Sequence, residues 1–133
     1  MAMVLNRQNH NPMDDLAPIL SVRELTALQD AVSATYVSKT VVEYIVTLIT
    51  ETRKDPQILR GASPRATLSV TAVAKAVAQL RGRDYVTPRD VREVFQRTVG
   101  HRLQLTPKAE SSGVTAEDVL LKIIERIPSP QTR

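Results

Sequence analysis

The sequence predicts an all-α fold, a small bundle of four to five helices. Apolar residues recur at spacings of three and four from Ser21 onward, as expected for amphipathic helices. Serine, threonine, glycine or proline lies at the ends of these periodic segments. The alternating pattern of half-buried strands is almost absent.

The composition sets the size of this bundle. The chain has 133 residues, 42% of them hydrophobic, which suits one compact domain. It has no cysteine, which excludes disulfides, thiolate zinc sites and cysteine nucleophiles. The net charge of +4 permits an anionic partner without requiring one. No secretory signal or apolar stretch of about 20 residues is present, so we expect a cytoplasmic protein without a membrane span.

The first predicted helix runs from about Ser21 to Ser33. Ser21 and Glu24 fit a capping box, in which each side chain bonds the other's backbone N–H. Its apolar stripe is expected to be Val22, Leu25, Leu28 and Val32.

The second predicted helix starts at a Ser38 cap and ends near Pro56. Its apolar residues are Val41, Val42, Tyr44, Ile45, Leu48 and Ile49. Arg53 and Lys54 are expected in its last turn, where the helix dipole favours cations. Tyr36-Val37 before it and Tyr85-Val86 later are predicted to be extended.

The third predicted helix starts with Ser63 as N-cap and Pro64 at the first helical position, and runs to about Arg81. Its expected stripe is Val70, Val73, Val77 and Leu80, and its alanines are Ala66, Ala72, Ala74, Ala76 and Ala78. Such small residues let a neighbouring helix approach closely. We therefore expect this helix to be central and the most buried.

Two further helices complete the bundle. The fourth begins at Thr87-Pro88 and ends before Gly100, with the apolar face Val91, Val94, Phe95 and Val99. A polar loop is expected from Thr106 to Val114. The last helix starts at Thr115 and ends at Pro128, with Asp118 at its third position and the apolar face Val119, Leu120, Ile123, Ile124 and Ile127.

These elements predict three regions along the chain. Residues 1–20 are expected to be a linker. Residues 21–105 form the main helical bundle. Residues 106–133 comprise the polar loop, a final packing helix and a disordered tail.

Most catalytic signatures are missing. There is no phosphate-cradling Gly-x-x-x-x-Gly-Lys-Ser/Thr loop, no His-Glu-x-x-His and no Gly-x-Ser-x-Gly elbow. His101 is a possible general base, but a histidine at a helix end more often meets the terminal carbonyls, and we favour that interpretation. The Asp14-Asp15 and Glu117-Asp118 pairs fit a linker and a first helical turn. The sequence predicts no metal site and no complete catalytic site.

Arg65 is the one candidate functional residue that stands out. The run Gly61-Ala62-Ser63-Pro64-Arg65-Ala66 places a guanidinium in the first turn of a helix, beside free backbone N–H groups and the positive end of the dipole. A planar, permanently charged arginine suits phosphate oxygens. Taken alone, the spacing favours a solvated or acid-paired surface arginine.

The same run belongs to a larger pattern. It is followed by the run from Gly82 to Val91 (GRDYVTPRDV) and then by His101-Arg102-Leu103. In this order, the three motifs resemble the carboxy-terminal lid domain of MoxR-type AAA+ ATPases. The resemblance covers about Leu16 to Pro130, and Met3 to Asn11 resemble the end of the preceding core helix.

The resemblance implies that Arg65 is the sensor 2 residue, which contacts the γ-phosphate of a nucleotide held on the AAA+ core. It implies that Gly61, Ala62, Ser63 and Pro64 support the helix start. ATP and Mg²⁺ would be cofactors of the parent protein, with none bound by this fragment alone. Walker A and Walker B motifs are absent, so the fragment itself is not expected to hydrolyse ATP.

The resemblance also implies partners. These are the AAA+ core of the same chain, a homo-oligomeric ring that is expected to be a hexamer, and an unknown client protein. The implied role is chaperone-like remodelling or maturation of that client. Nucleic acid is not an expected partner.

A first alternative is a small helical nucleic-acid-binding module. Arg81, Arg83, Arg89 and Arg92 would be its phosphate contacts. Asp84, Asp90 and Glu93 interleave with these arginines and weaken the local field, which favours a solvated face.

A second alternative is a non-catalytic interaction adaptor that uses the apolar face of the last helix. We expect that face to pack on its own bundle instead, because an uncovered apolar surface of that size is unfavourable in water.

Overall fold

The structure is a computed structural model that describes residues 15–131. These residues form six helices and one two-stranded sheet, which confirms the predicted all-α class. The helices are α1 (Val22–Ala34), α2 (Lys39–Glu51), α3 (Arg65–Leu80), α4 (Pro88–Val99), α5 (Pro107–Ser111) and α6 (Ala116–Arg126). Predictions for the start of the linker and the end of the tail concern residues 1–14 and 132–133, which lie outside the described residues.

Side-chain caps start most of these helices where the sequence predicts them. Complete capping boxes occur at Ser21 with Glu24 and at Thr115 with Asp118. Thr87 forms a third with Asp90. Ser38 caps α2 by accepting the Val41 N–H at 3.3 Å.

The predicted cap of α3 is wrong. The N-cap position is Pro64, which already has helical dihedral angles (φ −54°, ψ −29°), and no side chain caps this helix. The Ser63 and Pro64 carbonyls accept the N–H groups of Ala66 (2.9 Å) and Thr67 (3.0 Å) instead. These tight i to i+3 bonds satisfy the first turn through the backbone, so a serine hydroxyl is not needed.

The hydrophobic core lies between α2, α3, α4 and α6. All four predicted apolar residues of α4 are buried, and so are the predicted α6 residues except Ile127, which is half-buried. In α2 the predicted face is also buried, apart from Val42. The helix periodicity therefore identified the core of these three helices.

The face that α3 buries differs from the predicted one. Its buried residues are Ala66, Val70, Ala74 and Ala78, at four-residue spacing. Val77 is half-buried, while Val73 and Leu80 are exposed. The helix is central, since it packs against α1, α2 and α4, but α4 buries more of its residues. Close helix approach favours small side chains at the contact, which is why three of the four buried residues of α3 are alanines.

The predicted apolar stripe of α1 is also not buried. Val22, Leu25 and Leu28 are exposed and Val32 is half-buried, and α1 has no buried residue at all. The helix lies against α3, to which polar bonds hold its carboxyl end. Lys75 Nζ donates to the Ser33 carbonyl at 2.8 Å.

The connections contain structure that the sequence pattern did not indicate. Strands β1 (Ile58–Arg60) and β2 (Gln104–Leu105) pair antiparallel, and α5 lies within the predicted polar loop. α2 ends at Glu51, so Arg53 and Lys54 follow the helix instead of lying in its last turn. The two predicted extended segments meet in a parallel bridge between Tyr36 and Tyr85.

Candidate functional site

Arg65 is the first residue of α3, and it is exposed. Its guanidinium makes no hydrogen bond or ion pair within residues 15–131. The first turn of α3 carries no acidic residue. The described part of the chain therefore leaves this cation open to an external anion and gives it no counter-charge.

The backbone around Arg65 offers less than the sequence suggested. The N–H groups of Ala66 and Thr67 already donate to the Ser63 and Pro64 carbonyls, so they are not the free donors we expected. An anion at this helix start would meet the guanidinium and the positive end of the dipole of a 16-residue helix.

The segment before Arg65 lies tightly against the end of α2. Ala62 is fully buried, and its N–H donates to Thr52 Oγ1 at 3.0 Å. Its carbonyl accepts from Arg53 Nε at 2.8 Å. A Cβ atom at Gly61 would lie 2.7 Å from the Thr52 carbonyl oxygen, so only glycine allows this approach. The sequence pattern does not indicate these roles of Thr52 and Arg53, because the contacts join residues nine and ten positions apart across a loop.

The second motif of the sequence, residues 82–91, centres on the buried carboxylate of Asp90. This carboxylate accepts hydrogen bonds from Arg81 (3.0 Å), Arg83 (2.6 and 2.9 Å), the Thr87 N–H (2.8 Å) and the Thr87 hydroxyl (2.7 Å). Burial alone raises the pKa of Asp90, but hydrogen bonds from Arg83 and Thr87 outweigh it and lower the pKa to about 2. The motif thus ties the start of α4 to the end of α3.

The arginines proposed as nucleic-acid contacts do not form a free cationic patch. Arg81 also pairs with Glu93 at 2.6 Å, and Arg83 lies over the Tyr85 ring. Hydrogen bonds to these carboxylates raise the pKa of both arginines. Of the four candidates, Arg89 and Arg92 have no ion pair within residues 15–131. Two of the four arginines are therefore paired with carboxylates of the bundle itself.

His101 lies in a short 3₁₀ turn, Gly100–Arg102, and is exposed. Its Nε2 accepts a hydrogen bond from Arg102 Nε at 3.2 Å. It does not meet the helix-end carbonyls that we expected. Within the part of the chain that the structure describes, no acid or hydroxyl bonds its ring to form a catalytic pair.

The apolar surface that remains exposed is not the one proposed for an adaptor. The α6 face is buried in the bundle, as we expected. Six of the large apolar residues that are exposed lie in α1 and the segment before it, namely Leu16, Ile19, Leu20, Val22, Leu25 and Leu28.

A groove of about 940 Å³ is lined by residues near the Tyr36–Tyr85 bridge and the start of α2. None of its lining residues belongs to residues 61–66. Over residues 15–131 there is no cluster of three or more side chains able to hold a metal. Among the helices of that range, none is both long and apolar enough to cross a bilayer. Arg65 is exposed and does not line this groove.

The chain is similar to a known domain family and to several known proteins. Residues 50–123, more than half of the chain, match the family model of the AAA lid domain. The chain is 37% identical over 122 residues to the chaperone MoxR1 of Mycobacterium tuberculosis, covering 85% of this chain and 32% of that protein. It is 31% identical over 127 residues to the uncharacterized protein YeaC of Bacillus subtilis, covering 96% of this chain and 40% of that protein.

A solved structure has the same fold. The crystal structure of an ATPase candidate from Cytophaga hutchinsonii superposes with a TM-score of 0.82 at 26% identity, covering 96% of this chain and 41% of that one. The chain thus spans about a third to two fifths of the length of these proteins. The chain belongs to the AAA lid domain family, and it resembles the lid of MoxR-type AAA+ proteins.

Proposed function

We propose that this lid couples ATP binding and hydrolysis on an AAA+ core to chaperone-like remodelling or maturation of a client protein. The core of the same polypeptide and a homo-oligomeric ring, expected to be a hexamer, are the partners of this function, and the cytoplasm is its expected location. The chaperone MoxR1 is one relative whose name supports the remodelling role. The identity of the client is left open by this proposal.

The observation that carries the proposal is the guanidinium of Arg65 at the start of α3, which is exposed and has no partner among residues 15–131. A cation fixed at a rigid helix start can stabilise the charge of a transferring phosphoryl group when a core presents that group to it. In this proposal Arg65 is the sensor 2 residue. Gly61, Ala62, Ser63 and Pro64 hold the helix start against α2.

The residues of this chain fit one contact to ATP and do not fit a whole site. The sequence has no phosphate-cradling loop, and residues 15–131 hold no acidic cluster for Mg²⁺. Both groups would therefore be held by the core. The contribution of the lid is to bring the Arg65 guanidinium to the nucleotide phosphate and to withdraw it when the lid moves away.

Substitution of Arg65 tests this proposal directly. Arg65→Ala in the full-length protein should lower the ATP turnover rate at least tenfold, because the transition state loses a charge contact worth more than ~1.4 kcal/mol. Steady-state phosphate release at saturating ATP measures the effect.

A matched control is Arg97→Ala, since Arg97 is another exposed arginine without an ion pair within residues 15–131. It should leave turnover unchanged. Near-normal turnover in Arg65→Ala, or an equal loss in both variants, would contradict the sensor role.

A further inference from the structure

Ala62 is held through both of its backbone polar groups by two consecutive side chains that follow α2. Its N–H donates to Thr52 Oγ1 (3.0 Å), and its carbonyl accepts from Arg53 Nε (2.8 Å). Thr52 and Ala62 are both fully buried. We call this arrangement the Ala62 clamp.

The Thr52 hydroxyl is itself oriented within the clamp. It donates its proton to the Ile49 carbonyl at 2.6 Å, so only its lone pairs can face the Ala62 N–H. Beside it, a Cβ atom at Gly61 would lie 2.7 Å from Arg53 Cγ and 2.8 Å from Arg53 Cα. The loop therefore packs directly on the backbone of residues 52–53 and has no room to slide.

Only Ser63 and Pro64 separate the clamped residue from Arg65. The φ angle of Pro64 is restricted by its ring, and the carbonyls of Ser63 and Pro64 are bonded into the first turn of α3. Few backbone rotations thus remain between Ala62 and Arg65. The position of the clamp consequently determines where the side chain of Arg65 leaves the backbone.

We propose that Thr52 and Arg53 are positioning residues for Arg65: through the Ala62 clamp they hold the start of α3 where its guanidinium meets a nucleotide phosphate. This inference rests on the function proposed above. Thr52 acts from a buried position and does not touch the nucleotide. Loss of one clamp hydrogen bond should weaken the Arg65 contact by roughly three- to tenfold.

The test measures how strongly the full-length protein prefers ATPγS over ADP, as the ratio of their dissociation constants. Thr52→Val keeps the branched shape but removes the acceptor for Ala62, and should lower this preference roughly three- to tenfold with little change in ADP affinity. Thr52→Ser keeps the hydroxyl and should restore it. Thr50→Val is the matched control, because the Thr50 hydroxyl bonds only the Val46 carbonyl of its own helix (2.8 Å).

A double-mutant cycle separates positioning from general destabilisation. If the clamp acts through Arg65, Thr52→Val should have no further effect on the preference once Arg65 is alanine. Additive losses would overturn the inference, as would a normal preference in Thr52→Val. Arg53→Met, which keeps the stem and removes the donor, provides a second variant if Thr52→Val unfolds.

The two proposals fail in different ways. If Arg65→Ala itself leaves the nucleotide preference unchanged, the sensor role fails and the positioning role fails with it. If Arg65→Ala lowers the preference while Thr52→Val and Arg53→Met do not, only the positioning role is overturned.

Discussion

Asp90 lies in an environment very different from that of a solvated side chain. It is completely buried, and its carboxylate accepts hydrogen bonds from Arg81, Arg83 and Thr87. A buried carboxylate without such partners would become protonated, whereas this one keeps its charge because its hydrogen bonds favour the ionised form. The GRDYVTPRD motif therefore has a structural role in this chain, because its hydrogen bonds link the end of α3 to the start of α4.

Stability should consequently depend on the ionisation of Asp90. Its pKa is about 2 in the folded chain against an ordinary value of 3.8, so its contribution is complete above about pH 5 and is lost as the pH falls through 4 towards 2. We expect about 2 kcal/mol of unfolding free energy to disappear over that interval through this group. Urea unfolding at several pH values measures it.

Asp90→Asn is the control for this pH dependence. It should be less stable than the unsubstituted chain at pH 7, because Arg83 loses its charged partner and Arg81 loses one of its two. The difference between the two chains should shrink as the pH approaches 2. A difference that stays constant with pH would show that Asp90 does not carry the effect.

Two helix starts with the same sequence pattern have different structures. Ser-Pro at positions 63–64 has the form of a cap followed by proline, as Thr-Pro does at positions 87–88. Only the second behaves so, with the Thr87 hydroxyl accepting the Asp90 N–H. At Ser63 the clamp on Ala62 sets the direction of the chain, and the helix takes its first bonds from carbonyls.

Two alanine substitutions distinguish these helix starts. Thr115→Ala should lower the unfolding free energy by about 1 kcal/mol, because it removes the oxygen that accepts the Asp118 N–H at 3.1 Å. Ser63→Ala should change it by less than about 0.5 kcal/mol, because no cap is lost. Chemical denaturation of both variants measures the difference, and an equal loss would mean that Ser63 caps α3 after all.

At the scale of the whole molecule, side chains are fully buried on one side of the bundle and largely exposed on the side of α1. α2, α4 and α6 enclose large side chains such as Phe95 and Ile123 that have no exposed surface. α1 contributes no buried residue, and Leu28 is 54% exposed. Substitutions on the two sides should therefore differ strongly in their effect on stability.

Phe95→Ala should cost about 3–5 kcal/mol of unfolding free energy, since it opens a cavity among fully packed neighbours. Leu28→Ala should cost less than about 1 kcal/mol, because little area is withdrawn from water there. Urea unfolding of the 133-residue chain provides both values. A loss in Leu28→Ala comparable to that in Phe95→Ala would show that the α1 stripe is buried.

The sequence by itself determined the helical class, the order of the five long helices, the inward faces of α2, α4 and α6, and the position of Arg65. Helix periodicity and capping depend on residues within about four positions of each other, so these features can be predicted from short stretches of the sequence. Only the tertiary structure decided which face α3 buries, that α1 keeps its stripe exposed, and that Thr52 and Arg53 hold Ala62. Those outcomes depend on which helices meet and how closely, and a local pattern contains no record of such distant contacts.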